Sequence, residues 1–393
     1  MHKRFLYNEI VKYLDHKNAL VITGMRQVGK TTLMRQIFQE LNAPKLWFDL
    51  DNPLDQLFFE EKDYNAVYKK LSDESGSQKV RQFVFIDEIQ NFPEITKIIK
   101  FLIDNYSVKF IVSGSSNFYL KNLFPESLSG RKFLFVLPPL GFQEYLHFKG
   151  LNPGSTSYKD SFPDLSNPSA YFHEKYAYHY DQFLEFGGFP EVVITEDHAL
   201  KKMVLKNIFA SFFEKDLRIL SDIKDIRELR DLILLLVPRA GNILDVSRLS
   251  VELGLNRVKT YQYLEFLQGA FFLHLIPKYS KSADRAVAGG KKVYFSDTGL
   301  LNIIGKTNDG QLFENAIANQ LLNYGSLSFY NKRNKTEIDF ILNGKIALEV
   351  KQTGTPGDLL KLQKIAGELD LKRFYVISKK FRETNGFLSP VFF

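Results

Sequence analysis

The segment Gly24-Met25-Arg26-Gln27-Val28-Gly29-Lys30-Thr31 constrains this chain more than any other. It fits the pattern GxxxxGK[ST], in which glycines let backbone N–H groups close around phosphate oxygens. An apolar run at 19–23 precedes it and helical spacing at 31–41 follows it. That strand–loop–helix context separates the pattern from a chance glycine turn, and the helix start adds a positive dipole end.

Further apolar runs at 45–50, 82–87, 109–113 and 132–137 alternate with helical stretches such as 95–105. Strands alternating with helices predict a parallel sheet covered on both faces. Lys30 is then placed to reach the β- and γ-phosphates of a nucleotide, and Thr31 to ligate Mg²⁺. The run Phe83-Val84-Phe85-Ile86-Asp87-Glu88 ends in two acids. Asp87 is expected to hold Mg²⁺ through its water shell, and Glu88 to polarise an attacking water. These residues predict binding and hydrolysis of Mg-ATP.

The run at 109–113 leads into Ser113-Gly114-Ser115-Ser116. In ATPases with an additional central strand a polar residue here senses the γ-phosphate. Ser113, Ser115 and Ser116 are all candidates. Gly130-Arg131 precedes the fifth strand; Arg131 is either a finger, in cis or from a neighbouring subunit, or a solvated surface arginine.

The polar runs 72–79 and 149–169 read as loops, the second separating the first domain, 1–150, from a mainly helical region. Within 170–277 the sequence reads as helix at 243–252, tight turn at Gly254-Leu255-Asn256, helix at 257–267, and a wing strand at 271–276. Such a unit sets Arg257, Lys259, Thr260 and Gln262 toward a DNA groove, or forms a lid that only packs on its neighbour. A polar connector at 278–292 leads into a third part, 285–393. There a helix at 311–324 and strands at 327–331, 337–342, 345–350 and 373–377 predict a second α/β domain.

This last part carries acids in a telling arrangement. Glu349 and Lys351 lie two apart on one strand and face the same side, and Asp339 lies on the neighbouring strand. Asp339 and Glu349 can hold a hard divalent metal, with Glu314 as an additional helical acid and Lys351 orienting a water. The alternative is a set of strand charges or a decayed site.

The whole pattern resembles the bacterial and archaeal AAA-like ATPases that carry a C-terminal domain with a restriction-endonuclease-like core. The matching stretches are Gly24 through Thr32 and Leu33, Asp87-Glu88-Ile89-Gln90, Ser113-Gly114-Ser115-Ser116, Ser127-Leu128-Ser129-Gly130-Arg131 and Pro139-Leu140-Gly141-Phe142-Gln143-Glu144-Tyr145. Gly187-Gly188-Phe189-Pro190-Glu191 and Lys215-Asp216 follow, then Tyr294-Phe295-Ser296-Asp297-Thr298-Gly299-Leu300, Phe313-Glu314-Asn315, Glu337-Ile338-Asp339-Phe340 and Glu349-Val350-Lys351. The resemblance covers almost the whole chain. It implies an ATPase joined to a winged-helix segment and a nuclease-like domain, with Gly24, Met25, Arg26, Gln27, Val28, Gly29, Lys30, Thr31, Thr32, Asp87 and Ser115 binding nucleotide.

Composition agrees with that class. Residues 285–393 hold 16 Lys and Arg against 10 Asp and Glu, nearly all of the net charge of +7, so a polyanion such as DNA is a plausible partner. There is no cysteine, which excludes disulfides and thiolate metal sites and suits a reducing cytoplasm. No apolar run approaches the roughly 20 residues of a membrane span. Two functions are carried forward. One is Mg-dependent ATP hydrolysis coupled to binding or processing of nucleic acid. The other is an ATP-dependent switch or scaffold with an inactive nuclease-like domain. Either allows a homo-oligomer or an unidentified protein partner.

Overall fold

Strands that deliver a phosphate loop are buried on both faces, and the first sheet meets that condition at its centre. The structure, a computed structural model, describes residues 2–76, 81–106, 108–114, 130–151, 162, 169–216, 226–280, 289–332 and 336–393. Its strands β1 (Ala19–Thr23), β2 (Lys45–Asp49), β3 (Phe83–Asp87), β4 (Lys109–Gly114) and β5 (Lys132–Val136) form one sheet in the order β2-β3-β4-β1-β5. All its pairings are parallel. Every residue of β1, β3 and β4 is buried, whereas the edge strands β2 and β5 are partly open. Helices α1 (Leu6–Ile10), α2 (Lys30–Glu40), α3 (Pro53–Phe59), α4 (Tyr64–Ser75) and α5 (Ile95–Tyr106) complete this part.

This is a P-loop NTPase α/β fold. The five strand expectations hold to within a residue at each end. The polar run at 72–79 is corrected at its start: α4 continues through Ser75, and Gly76, with φ +66°, ends it. Residues 77–80 lie outside the described residues, as do 115–129 with Ser115, Ser116 and the Ser127-Leu128-Ser129 stretch, most of 152–168, and 281–288.

The chain divides into two compact units. One comprises residues up to Pro138 with Gly269–Phe271, and the other Pro139–Gln268 with Phe272–Phe393. In the second unit, helices α6 (Phe142–Phe148), α7 (Ala170–Phe186), α8 (Pro190–Ile194) and α9 (His198–Ser211) come first. Then follow α10 (Ile226–Leu236), α11 (Val246–Leu253), α12 (Arg257–Gly269), β6 (Leu273–Pro277) and β7 (Lys291–Phe295). The expected helix at 243–252 begins later, at Val246, because the Asp245 side chain accepts from Arg248 N and caps it. Ala240 and Ile243 instead bridge to β7, which pairs antiparallel with β6. The polar connector is corrected at its end, since Lys291 and Lys292 belong to β7 and Lys292 is buried.

Helices α13 (Thr298–Ile304) and α14 (Asp309–Leu322) lead to a second sheet. It is made of β8 (Leu327–Lys332), β9 (Thr336–Leu342), β10 (Ile346–Lys351), β11 (Arg373–Ser378) and β12 (Phe387–Leu388), in the order β12-β11-β10-β9-β8. Helix α15 (Pro356–Glu368) connects β10 to its parallel neighbour β11. This is the expected further α/β domain. One core joins its inner face (Phe340, Leu348, Ile377) to helical residues Phe142, Tyr180, Phe183 and Ile317.

Three glycines pack around one buried acid. Asp297 accepts from Gly188 N at 2.7 Å and from Leu300 N at 2.9 Å, capping α13. A Cβ on Gly187 would lie 2.2 Å from Asp297 Oδ1, one on Gly188 2.1 Å from Leu140 O, and one on Gly299 2.1 Å from Phe186 O. The matched Gly187-Gly188 and Asp297-Thr298-Gly299 stretches thus meet in space. Burial pushes the Asp297 carboxyl up to about 6, against backbone hydrogen bonds from Gly188, Leu300 and Gly299. The unfolded chain titrates it near 3.8. Between these values the folded protein keeps a proton the unfolded chain has lost, so stability falls as pH rises through the window and levels off above it. Urea midpoints of the wild type are therefore expected to decline more steeply with rising pH than those of Asp297→Asn between roughly pH 4 and 6. Parallel declines would contradict this account.

Candidate functional site

The phosphate loop leaves β1 under tight backbone constraints. Gly24 takes φ +150°, and a Cβ there would stand 2.2 Å from Leu137 O. Gly29, with φ +95°, starts α2. Lys30, in the first turn, is 5% exposed, and its Nζ donates to Gly24 O at 3.0 Å and Met25 O at 2.9 Å. The loop is also held from behind. Arg4 donates from Nη1 to Val28 O at 2.7 Å and from Nη2 to Pro138 O at 2.8 Å, and it is itself buried. The sequence reading did not single out Arg4; an arginine near a chain start carries no pattern of its own.

The strand order brings the second motif to the loop. Because β4 lies between β1 and β3, Ser113 sits beside Ile22 on one side and reaches Asp87 on the other. The Ser113 hydroxyl donates to Asp87 Oδ1 and accepts from Glu88 N at 3.2 Å. Burial raises the Asp87 carboxyl above its usual range, Ser113 and Thr31 hydrogen bonds oppose that, and Glu88 and Asp49 add to it. Glu88, with φ +53°, turns sharply out of β3, and its carboxylate accepts from Gln90 Nε2. A non-glycine residue in this region is uncommon and marks a conformation fixed by its surroundings. Lys30, Thr31, Asp87, Glu88 and Ser113 therefore gather at the C-terminal ends of three adjacent strands. Of the three serine candidates Ser113 is the one placed here; Ser115 and Ser116 lie outside the described residues.

Arg131 is elsewhere. It precedes β5, whose Lys132 pairs with Ala19 at the start of β1, whereas the loop follows Thr23 at its end. Five strand residues span about 15 Å, so Arg131 and Lys30 stand at opposite ends of the sheet. A finger role in cis is thereby corrected. Arg131 forms an ion pair of 2.7 Å with Asp104, and both are about one-third exposed.

A second gathering of charge lies in the C-terminal sheet. Antiparallel pairing of β9 and β10 runs to Phe340 opposite Leu348, and one step further sets Asp339 against Glu349. There the Asp339 side chain replaces the ladder, with Oδ2 accepting from Val350 N at 2.8 Å. Lys351 Nζ donates to Glu349 Oε1 at 2.7 Å, as strand alternation predicts. Burial, then Asp339, push the Glu349 carboxyl up to about 7, while Lys351 opposes. Burial disfavours the charge of Lys351, but Asp339 and Glu349 hold its pKa above the usual value.

Glu314, expected as an additional helical acid, is engaged by other side chains. Its Oε1 accepts from Tyr294 OH at 2.7 Å and lies 3.4 Å from Lys292 Nζ. Lys292 also stands 2.8 Å from Glu337 Oε1 and 3.8 Å from Asp339 Oδ1. Burial, then Asp339, raise the Glu314 carboxyl to about 7, and Lys292 opposes. Among the described residues no group of three or more His, Cys, Asp or Glu side chains is arranged to hold a metal. The ammonium of Lys292 stands among Glu314, Glu337 and Asp339. The sequence places Lys292 in a polar connector and offers Tyr294 and Glu337 only as members of matching stretches, so none of the three stands out as a site residue.

In the helix–turn–helix segment, Arg257 and Gln262 are exposed as expected and Lys259 is partly exposed, paired with Glu228. Thr260 is a correction. It is fully buried, with its hydroxyl donating to Asn256 O at 3.2 Å and accepting from Ser250 Oγ at 3.0 Å, so it packs the two helices together.

Three stretches of the chain match known families. Residues 16–146 match the family described as AAA domain. Residues 177–310 match one domain of unknown function, DUF8612, and residues 309–385 another, DUF4143. An uncharacterized protein of Haemophilus influenzae is 27% identical over 344 residues, which is 85% of this chain and 81% of its own. One of Methanocaldococcus jannaschii is 26% identical over 379 residues, 92% of this chain and 81% of its own. Among solved structures, a Walker-type ATPase of Pyrococcus abyssi is similar at 14% identity with a TM-score of 0.49, over 76% of this chain and 94% of that one. No helix among the described residues is long and apolar enough to cross a membrane.

Proposed function

We propose that this protein is a Mg²⁺-dependent ATP hydrolase whose cycle governs binding or processing of nucleic acid, DNA in particular. The observation that carries the reading is the meeting of Lys30, Thr31, Asp87, Ser113 and Glu88 at the C-terminal ends of three adjacent strands. A buried carboxylate beside a threonine hydroxyl suits a hard cation with oxygen ligands. Bound there, Mg²⁺ offsets charge on the phosphates. Backbone N–H groups from Gly24 to Thr32 cradle the phosphates, Lys30 faces them, and Glu88 orients a water in line with the leaving oxygen. Ser113 holds Asp87 and the Glu88 backbone in register. Lys30→Ala is expected to lose productive ATP binding. Glu88→Gln should bind ATP normally and hydrolyse it at least about 100-fold more slowly. Normal turnover in either variant, by phosphate release, would sink the reading.

Since Arg131 stands far from its own loop, its proposed role is in trans, in a homo-oligomer. Arg131→Ala and Lys30→Ala proteins, each inactive alone, are then expected to regain activity when mixed. Failure of mixtures to complement excludes that role.

The nuclease-like part rests on Asp339 opposed to Glu349 with Lys351 beside them. Two carboxylates there suit one divalent ion, with Lys351 available to hold a water or a phosphate oxygen. In the middle, α11, the Gly254 turn, α12 and the β6–β7 hairpin support a winged-helix reading. The engagement of Glu314 and Asp339 by Lys292 favours a second reading, a nucleotide-dependent switch whose nuclease-like site is inactive. Plasmid and oligonucleotide substrates in Mn²⁺ separate the two. The nuclease reading expects cutting that Asp339→Ala and Glu349→Ala abolish while ATP hydrolysis persists. Salt-sensitive DNA binding without cutting supports the switch.

A further inference from the structure

Lys292 and Tyr294 lie two apart on β7 and face the same side of it. Both reach Glu314, at 3.4 and 2.7 Å, and the Lys292 ammonium continues to Glu337 at 2.8 Å and Asp339 at 3.8 Å. One side chain thus joins carboxylates from α14 and β9. The Lys292 side chain is 4% exposed, while Glu314 and Asp339 are mostly buried and Glu337 reaches in from a more open position. Carboxylates gathered around a buried position repel one another and lose part of their hydration unless a cation stands among them. Proteins supply that cation as a basic side chain or as a metal ion. A lysine offers a compact point charge with three donors, close in size and demand to a small metal ion with oxygen ligands.

We infer that Lys292 is the resident cation of this cluster: its ammonium takes the place a divalent ion would hold among Glu314, Glu337 and Asp339. It thereby confines any divalent ion of the domain to the side of Asp339 that faces Glu349. The second statement rests on the nuclease-like reading; the first stands without it. Lys292 is on this account a positioning residue. It holds Glu314 away from metal chemistry, leaves Asp339 one carboxylate oxygen turned to each side, and makes the site one that takes a single metal ion.

The test is Mn²⁺ binding to the full chain without nucleotide, by calorimetry and by the electron paramagnetic resonance of bound ion. Lys292→Met is expected to bind one more Mn²⁺ than wild type. That added ion should persist in Lys292→Met with Glu349→Ala and disappear when Glu314→Gln and Glu337→Gln are also made. Lys292→Arg, which keeps the charge, should gain none. The variant's melting temperature should rise with Mn²⁺ or Ca²⁺ far more than that of wild type. If Lys292→Met does not fold in plain buffer, divalent ion should restore its near-ultraviolet circular dichroism, and the variant with both glutamates also neutralised should fold without it. Equal Mn²⁺ stoichiometry in wild type and Lys292→Met overturns the inference, as does a Lys292→Met protein that stays unfolded in millimolar Mn²⁺ while the neutralised variant folds. The nuclease-like reading is tested separately by the same titration. No ion in wild type but one in Lys292→Met supports the resident cation and counts against a metal-dependent nuclease. One ion in both, lost with Glu349→Ala, does the reverse.

Discussion

Charge taken out of water is the constraint around which both sites are arranged. In the first unit Asp87 ends a strand whose every residue is buried, and its carboxylate is tolerated because Ser113 and Thr31 give it hydroxyl donors. Lys30 is buried too and satisfies itself on carbonyl oxygens of the loop it belongs to. In the second unit Lys292 stands among acids from two elements, and Lys351 covers Glu349. Each arrangement is held by backbone placed for the purpose. An unpaired charge at the buried Lys30, Asp87 or Lys292 would cost on the order of several kcal/mol, a large share of what keeps a domain folded.

The first sheet follows from that constraint. A strand carrying a phosphate loop has to be central, and here β4 and β5 flank it. The placement of β4 also sets Ser113 where it can reach Asp87 and the Glu88 backbone together. Insertion of that strand therefore decides which side chain meets Asp87.

Much of this was legible in the residues. Continuous apolar runs such as Phe83-Val84-Phe85-Ile86 announce doubly buried strands, and the glycine–lysine pattern announces the loop between strand and helix. Strand alternation was enough to align Glu349 with Lys351. What stayed hidden were partners supplied by distant segments. Lys292 looked like part of a polar, glycine-containing connector, because a single buried lysine leaves no periodic signature. Thr260 looked available for contact, because helix position alone does not say which face is turned inward. Arg131 is adjacent to the nucleotide strand in the sheet yet at its far end, a distinction that depends on strand order and direction rather than on spacing along the chain.

The double grip of Arg4 has a mechanical meaning. One guanidinium clasps the carbonyl of Val28, inside the phosphate loop, and the carbonyl of Pro138, the last residue of the first unit. Peptide planarity turns the N–H of Gly29 opposite to the clasped Val28 carbonyl. The guanidinium that fixes this peptide plane also fixes the chain just after β5, because its other nitrogen donates to Pro138 O. The loop and the segment that follows β5 are thus held by one planar group within the first unit.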